Sequence, residues 1–369
     1  MPLFVIKMML HALDIKGLYF RFKPEFWKEI KKARINAGDY WNEVACKLGV
    51  GVDHMKDIRS TEKYPYGQKA VSLELLFRIL AYSRENGVRI NIENQKLISA
   101  VRYGHRGKWV RGPQFPLDLL DKRWAGILGA CITDGHLQPD GKVYFINANR
   151  GLAESVIELV KGAIGDMDIK LSTKRRENKV WYVVVFPKLL GQVLIRNFGM
   201  KPGNKVKNNI PLPAFLKNLD ATQSCYKLFL SEFLKWTFSC DGWVNASSHT
   251  IGICFNRDVT NLSTSFIRNS NYASQLLLDI KGVLAVMGIR TSKPYFMGVK
   301  VRKNGRLSAK WRIEIHNREG LTLFAGLIGF VIDEKSAKLE SILKNVPSST
   351  FKVLENHQMM SNLGVVKCR

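Results

Sequence analysis

The six cysteines, at 46, 131, 225, 240, 254 and 368, form no Cys-x-x-Cys pair and no finger spacing. That argues against a zinc module and against a disulfide scaffold, and for a reducing compartment. The seven histidines are scattered and no His-Glu-x-x-His occurs, so no zincin-type site is expected. No apolar run reaches the length a bilayer needs. The opening MPLFVIKMMLHALDI is apolar but has neither a basic leader nor a small-residue cleavage site, and it does not read as a signal peptide. The expected location is therefore intracellular, in cytoplasm or an organelle, with no membrane partner. Acidic residues are scarce too: 31 Asp and Glu stand against 57 Lys and Arg, a net charge of +26.

The chain's 369 residues are enough for two or three domains, and a hydrophobic content of 46% fits folded ones. The positive excess is distributed. Residues 1–120 carry 21 basic and 12 acidic side chains, 121–220 carry 16 and 9, and 221–369 carry 20 and 10. Such a spread suits a long polyanion contacted along its length, with counterions released at many phosphates. A merely basic, ribosome-adjacent protein is the plainer alternative.

Residues 1–101 read as helical. PEFWKEIKKARI places Phe26, Ile30 and Ala33 at helical spacing, and SLELLFRILAYSREN repeats the pattern. Between them Ala45, Gly49 and Met55 stand at the small, turn and anchor positions of a helix-turn-helix. Asp53, His54, Lys56 and Arg59 then line a recognition helix near 52–60, with Lys56 and Arg59 as DNA contacts; an ordinary helical hairpin is the competing reading. Residues 102–120 hold three glycines, two prolines and a run of basic residues, the composition of a linker. Arg106, Lys108 and Arg111 there would track a minor groove or belong to a solvated tether.

From residue 121 the chain is duplicated. Asp134-Gly135 answers Asp241-Gly242 at an offset of 107. Ala153/Ala273, Lys161/Lys281, Gly162/Gly282, Met167/Met287 and Ile169/Ile289 follow at 120, and Trp181/Trp311 and Gly199/Gly329 at 130. The growing offset predicts longer loops or strands in the second copy. KVYFIN, VWYVVVF and KWRIEIH alternate at period two and read as strands. The expected fold is α+β: two pseudo-twofold repeats, 121–220 and 221–346, then a tail over 347–369. Their two sheets would form a basic saddle presenting Lys142, Lys174, Arg175, Arg176, Arg268, Lys300, Arg302, Lys310 and Arg312 to DNA.

Each repeat opens with an apolar helix running into Asp-Gly, where glycine suits a left-handed cap. The last carbonyls of a helix lack internal partners and carry the negative end of its dipole. A carboxylate there is disfavoured unless a cation arrives, so two such ends make all-oxygen half-sites for Mg²⁺ or Mn²⁺. Asp134 and Asp241, with the adjoining Thr133 and Cys240, are the candidate metal ligands. Polarised phosphate, activated water and in-line displacement would follow. Two unrelated Asp-Gly turns after core helices are the bland alternative.

ILGACITDG (127–135) and LKWTFSCDG (234–242) resemble the two motifs of the single-chain LAGLIDADG homing endonucleases, and the resemblance extends over about 121–345. It implies a duplicated αββαββα fold, motif helices packed at the pseudo-dimer interface, and divalent-metal cleavage of both strands of a long DNA site. The motif aspartates fall on Asp134 and Asp241. The small third position is Gly129 in the first copy and Trp236 in the second, where an indole would have to pack as a knob over Gly129. At offset 130 Lys205 falls on Lys335, each six residues past its glycine; the resemblance puts a basic residue there at the edge of the active site, so both lysines are candidate catalytic residues. The expected partner is double-stranded DNA, bound by a monomer with internal pseudo-dimer symmetry. A non-cleaving regulator or RNA-intron maturase on the same scaffold is the alternative. The chain starts without Cys or Ser and ends without His-Asn, so self-splicing is not expected, and an added N-terminal DNA-binding domain fits better.

Overall fold

A computed structural model describes residues 9–59, 70–92, 97–176, 178–262, 267–302 and 304–344; the expected tail over 347–369 lies outside them. The chain forms two compact units, one of residues 1–119, 160–170 and 186–190, the other of 120–159, 171–185 and 191–369. Among the described residues, no helix is long and apolar enough to cross a membrane.

In the first unit, strands β1 (Met9–Leu10) and β2 (Leu18–Phe22) precede α1 (Pro24–Ala37), α2 (Trp41–Lys47) and α3 (Val52–Arg59). Then come β3 (Val71–Ser72), α4 (Leu73–Glu85), β4 (Ile98–Tyr103), β5 (Val110–Arg111) and β6 (Leu117–Asp118). The helices fall where apolar spacing predicts: Phe26, Ile30 and Ala33 are fully buried on α1, and Ser72 caps α4 by accepting from Leu75 N. Ala45 and Met55 are buried on α2 and α3, and Gly49 between them takes a left-handed φ of 65°.

Helices make up most of its regular structure, but the unit is not helical alone. An antiparallel sheet in the order β3-β2-β4-β5 runs through it. Phe20 and Phe22 alternate inward on β2 from Tyr19 and Arg21, a period-two pattern hidden among helical segments. Residues 102–120 are not a linker either, because the 101/102 boundary falls inside β4. Arg111 and Asp166 exchange backbone hydrogen bonds (2.6 and 2.9 Å), and Val110, Phe115, Leu117 and Leu119 are buried. Glycine and proline there shape a packed connection, with Gly104 and Gly112 at positive φ. Those bonds to Asp166 also explain why 160–170, expected in the first repeat, groups with the N-terminal unit.

The duplicated part reads α5 (Lys122–Thr133), β7 (Gly135–Leu137), β8 (Val143–Asn147), α6 (Arg150–Ile164), β9 (Leu171–Arg176), β10 (Lys179–Phe186), α7 (Lys188–Arg196), α8 (Lys205–Asn208) and α9 (Ala214–Lys217). The second copy reads α10 (Ser224–Asp241), β11 (Gly242–Asn245), β12 (Thr250–Asp258), α11 (Gln275–Val286), β13 (Tyr295–Val301), β14 (Leu307–Ile315), α12 (Arg318–Leu327) and α13 (Asp333–Lys344). The two four-stranded antiparallel sheets share one topology, β7-β8-β10-β9 and β11-β12-β14-β13, so the fold is α+β with an internal repeat. Strand β12 has nine residues against five in β8, one of the insertions behind the growing offset. Gly199 and Gly329 both take left-handed φ, 69° and 65°. Trp181 and Trp311 do not match in environment: Trp311 is fully buried beside Phe296, whereas Trp181 is half-buried and sits opposite Lys174.

Helices α5 and α10 pack against each other, and the small residues of α5 set how closely. A Cβ at Gly129 would lie 2.5 Å from the Phe233 carbonyl oxygen and 2.9 Å from Trp236 Cβ. The Trp236 indole lies over Gly126, with Nε1 2.7 Å from the position of a Cβ there, and donates to Glu232 (2.9 Å). The tryptophan therefore packs into the glycine gap and leaves the backbones in close approach. Gly129→Ala is expected to destabilise the protein by about 3 kcal/mol by overpacking, outweighing the roughly 1 kcal/mol that alanine contributes inside a helix. Gly126→Ala should cost less, because side-chain ends and not backbone oppose it. Thermal unfolding of the two variants checks the order; equal loss would mean Trp236 cannot move aside.

Candidate active site

Asp134 caps α5 with helical angles (φ −91°, ψ −2°), and Asp241 is the last residue of α10. Neither following glycine is the left-handed cap expected. Gly242 is extended (φ −78°, ψ 164°) and opens β11, as Gly135 opens β7. Glycine is required for space: a Cβ would fall 2.4 Å from the Cys131 carbonyl oxygen at 135 and 2.6 Å from that of Phe238 at 242. The chain thus turns from helix to strand against its own last turn, with each carboxylate at the bend.

The helix-end carbonyls are not free. Lys205 Nζ, at the start of α8, donates to the carbonyls of Ile132 (2.8 Å) and Thr133. Lys335 Nζ, on α13, donates to those of Phe238 (3.1 Å), Ser239 (2.6 Å) and Gly242 (2.6 Å). Both ammoniums cap the negative ends of the motif helices, where cations are favoured. Burial lowers both lysine pKa values, and attraction to Asp134 and Asp241 opposes that.

The carboxylates are enclosed on most sides while keeping some exposed surface. Burial raises the pKa of Asp241 to about 7, and repulsion from Asp134 adds to the rise. Asp134 is also raised by burial, tempered first by Asn147, whose Nδ2 donates to Oδ2 at 2.6 Å. Asn147 was not among the residues singled out from the sequence. Its signal was a polar residue ending the apolar strand KVYFIN, at the position that Phe255 holds in the second copy when Gly135–Phe145 is laid on Gly242–Ile253.

Of the two residues expected to join the aspartates as ligands, Thr133 is engaged within the chain. The Thr133 hydroxyl donates back to Gly129 O (2.8 Å) and Ala130 O (3.1 Å), and its carbonyl is taken by Lys205. Burial pushes the Cys240 thiol well above its usual pKa, and the Asp134 charge adds to this, so what this residue offers a hard dication is its carbonyl oxygen. The described residues hold no group of three or more His, Cys, Asp or Glu placed to hold a metal ion by themselves. The charged side-chain donors are two mutually repelling carboxylates. They fit a hard dication that draws its other ligands from a carbonyl oxygen, water and phosphate.

An acid whose folded pKa lies above its unfolded value near 3.9 makes the folded state bind more protons in between. Its stabilising contribution is thus full below about pH 4 and is lost as pH rises through 7. Without divalent ions, the melting temperature should fall between about pH 5 and 8, by an amount Asp241→Asn removes. Mg²⁺ should restore more stability at pH 8 than at pH 5. A wild type and Asp241→Asn with parallel pH profiles would contradict the coupling.

The basic residues divide into two groups. Arg106, Lys108, Arg111, Lys174, Arg175, Arg268, Lys300 and Lys310 are exposed. Lys56 is exposed as well, with Asp53 3.2 Å away, whereas Arg59 lies over Trp41, Lys142 over Tyr144, and Arg302 bonds Ser308 (3.1 Å). Arg312 lies over Trp243 and Tyr295. The backbone of Arg176 pairs with Lys179 at the end of β9.

No family model matches the chain. It is 25% identical over 263 residues to the replicative DNA helicase DnaB of Synechocystis sp., covering 68% of this chain and 26% of that protein. The chain thus spans about a quarter of the length of that relative. Among solved structures, the crystal structure of I-DmoI in complex with DNA and Mn is similar at 14% identity and a TM-score of 0.32, covering 57% of this chain and 97% of that one.

Proposed function

We propose that the chain is a site-specific endonuclease that hydrolyses both strands of double-stranded DNA with Mg²⁺ or Mn²⁺. One observation carries this reading: two motif helices end side by side, each with a half-buried aspartate and a lysine ammonium across its last carbonyls. Asp134 and Asp241 would hold the ion, and Asn147 fixes the orientation of Asp134. The chemistry a divalent ion supplies in such a site is Lewis acidity toward a phosphodiester and a lowered pKa for the attacking water. The lysines counter the charge that develops on phosphate. Exposed Lys174, Arg175, Lys300 and Lys310 lie on the two sheets that flank the helices and supply contacts to the DNA backbone.

The test is incubation with a randomised or genomic DNA library and Mg²⁺, followed by end sequencing. Recurrent paired ends at one sequence, lost with chelator, are the expected result. Sequence-selective retention of DNA without new ends would move the protein to the non-cleaving class.

A further inference from the structure

The sequence pointed to α3 as the DNA-reading element of the N-terminal unit, yet that short helix sets acidic residues beside its basic ones. Lys56 pairs with Asp53, and Arg59 lies 4.1 Å over Trp41. Asp53 and Asp57 on the same short helix oppose its positive charge. A denser positive surface lies on the outer face of the sheet. Leu18, Phe20 and Phe22 bury the inner side of β2, which turns Tyr19 and Arg21 outward. The antiparallel register sets Tyr19 opposite Arg102, and aligns Arg21, Ala100 and Arg111 in one row across three strands.

Aromatic rings hold these guanidiniums. Arg21 lies 4.2 Å and Arg102 4.6 Å from the centre of the Trp109 ring, and Arg102 also stands 5.6 Å from that of Tyr19. Tyr19 Oη is 2.6 Å from His105 Nε2, which closes the cluster. The charges acting on Arg21 are those of Arg102 and Arg111, and burial with their repulsion depresses its pKa. Stacking fixes the plane of a guanidinium and leaves its edge of N–H donors for a bidentate anion. Two such groups, with exposed Arg111 beside them on one face of a chain at +26, match a run of phosphodiesters.

We propose that the outer face of this sheet, built from Tyr19, Arg21, Arg102, Trp109 and Arg111, is the surface by which the N-terminal unit grips the sugar-phosphate backbone of duplex DNA. It rests on the reading of the chain as a DNA-binding protein. It assigns the unit a backbone clamp where the sequence predicted a base-reading helix. The contacts carry no base information, so they raise affinity for every sequence alike.

The test measures binding of the full chain to a random-sequence duplex without divalent ions, from about 50 to 200 mM salt. Arg21→Gln/Arg102→Gln/Arg111→Gln should bind about 30- to 100-fold more weakly and reduce the log–log salt slope by about two to three units. Lys56→Gln/Arg59→Gln should change affinity less than about threefold. Because Arg21 and Arg102 are partly buried, the exposed Arg111→Glu serves as a second variant, expected to lower the slope by about one unit in a protein with unchanged circular dichroism. If the wild type binds duplex but both sheet variants match it, this assignment is wrong while the DNA reading stands. If the wild type binds no duplex, the DNA reading itself fails. Loss of binding to phosphatidylserine vesicles with DNA binding unchanged would also overturn the assignment.

Discussion

Asp134→Asn and Asp241→Asn should each abolish double-strand cleavage while leaving DNA binding within about threefold of the wild type. The expected loss is at least about 10³-fold in the single-turnover rate, several kcal/mol of transition-state stabilisation. Each change removes one charge from the pair that would hold the ion, yet keeps side-chain size. Each should also raise the melting temperature above neutral pH, because burial and mutual repulsion penalise the two charges. Rate and stability moving in opposite directions is the signature of a functional carboxylate. If the aspartates only ended helices, amidation would leave any cleavage intact. Wild-type rates in both variants would therefore end the metal reading. Asp241→Asn should gain the more stability, since Asp134 is already relieved by Asn147.

Lys205→Met and Lys335→Met should behave differently from the aspartate variants and from each other. Both strand helix-end carbonyls without a donor, so both should destabilise the fold by about 1–3 kcal/mol. Their effects on cleavage separate because an ammonium has three N–H donors. Lys335 makes three carbonyl contacts and Lys205 two. Lys205 thus keeps one N–H beyond its two carbonyl contacts that a phosphate would take. We expect Lys205→Met to slow single-turnover cleavage by about 10²-fold or more, with Lys335→Met several-fold less impaired. On a supercoiled plasmid carrying the site, Lys205→Met should accumulate nicked circles before linear product. If both lysines only contact the DNA backbone, affinity and salt slope will fall and the saturated rate will not. If both only cap helices, stability alone will change.

The repeat, its element order and the pairing of Asp134 with Asp241 were legible because each leaves a local trace. An apolar helix running into Asp-Gly can be recognised twice, and strands such as KVYFIN alternate visibly. The match of Lys205 with Lys335 was also legible, by offset from two glycines that do adopt the same left-handed turn. What the lysines touch was hidden, because a cap delivered from 72 or 93 residues away leaves no periodicity. The N-terminal sheet escaped notice for a related reason. Its strands are short and separated by whole helices, and β5 sits in a stretch whose glycines and prolines resemble a tether. The role of Gly135 and Gly242 was misjudged because composition cannot distinguish a glycine needed for its φ from one needed for its missing Cβ.

Trp236, its indole over Gly126 and its Cβ against Gly129, also governs which partner each half of the molecule will accept. Two copies of the first repeat, joined face to face, would bring two glycine troughs together and leave an apolar void where the ring had been. Two copies of the second would drive Trp236 against Trp236 and hold the helices apart. Only the unlike pair closes, so neither half, expressed alone, should form a stable homodimer. Mixing the two separated halves should favour heterodimer.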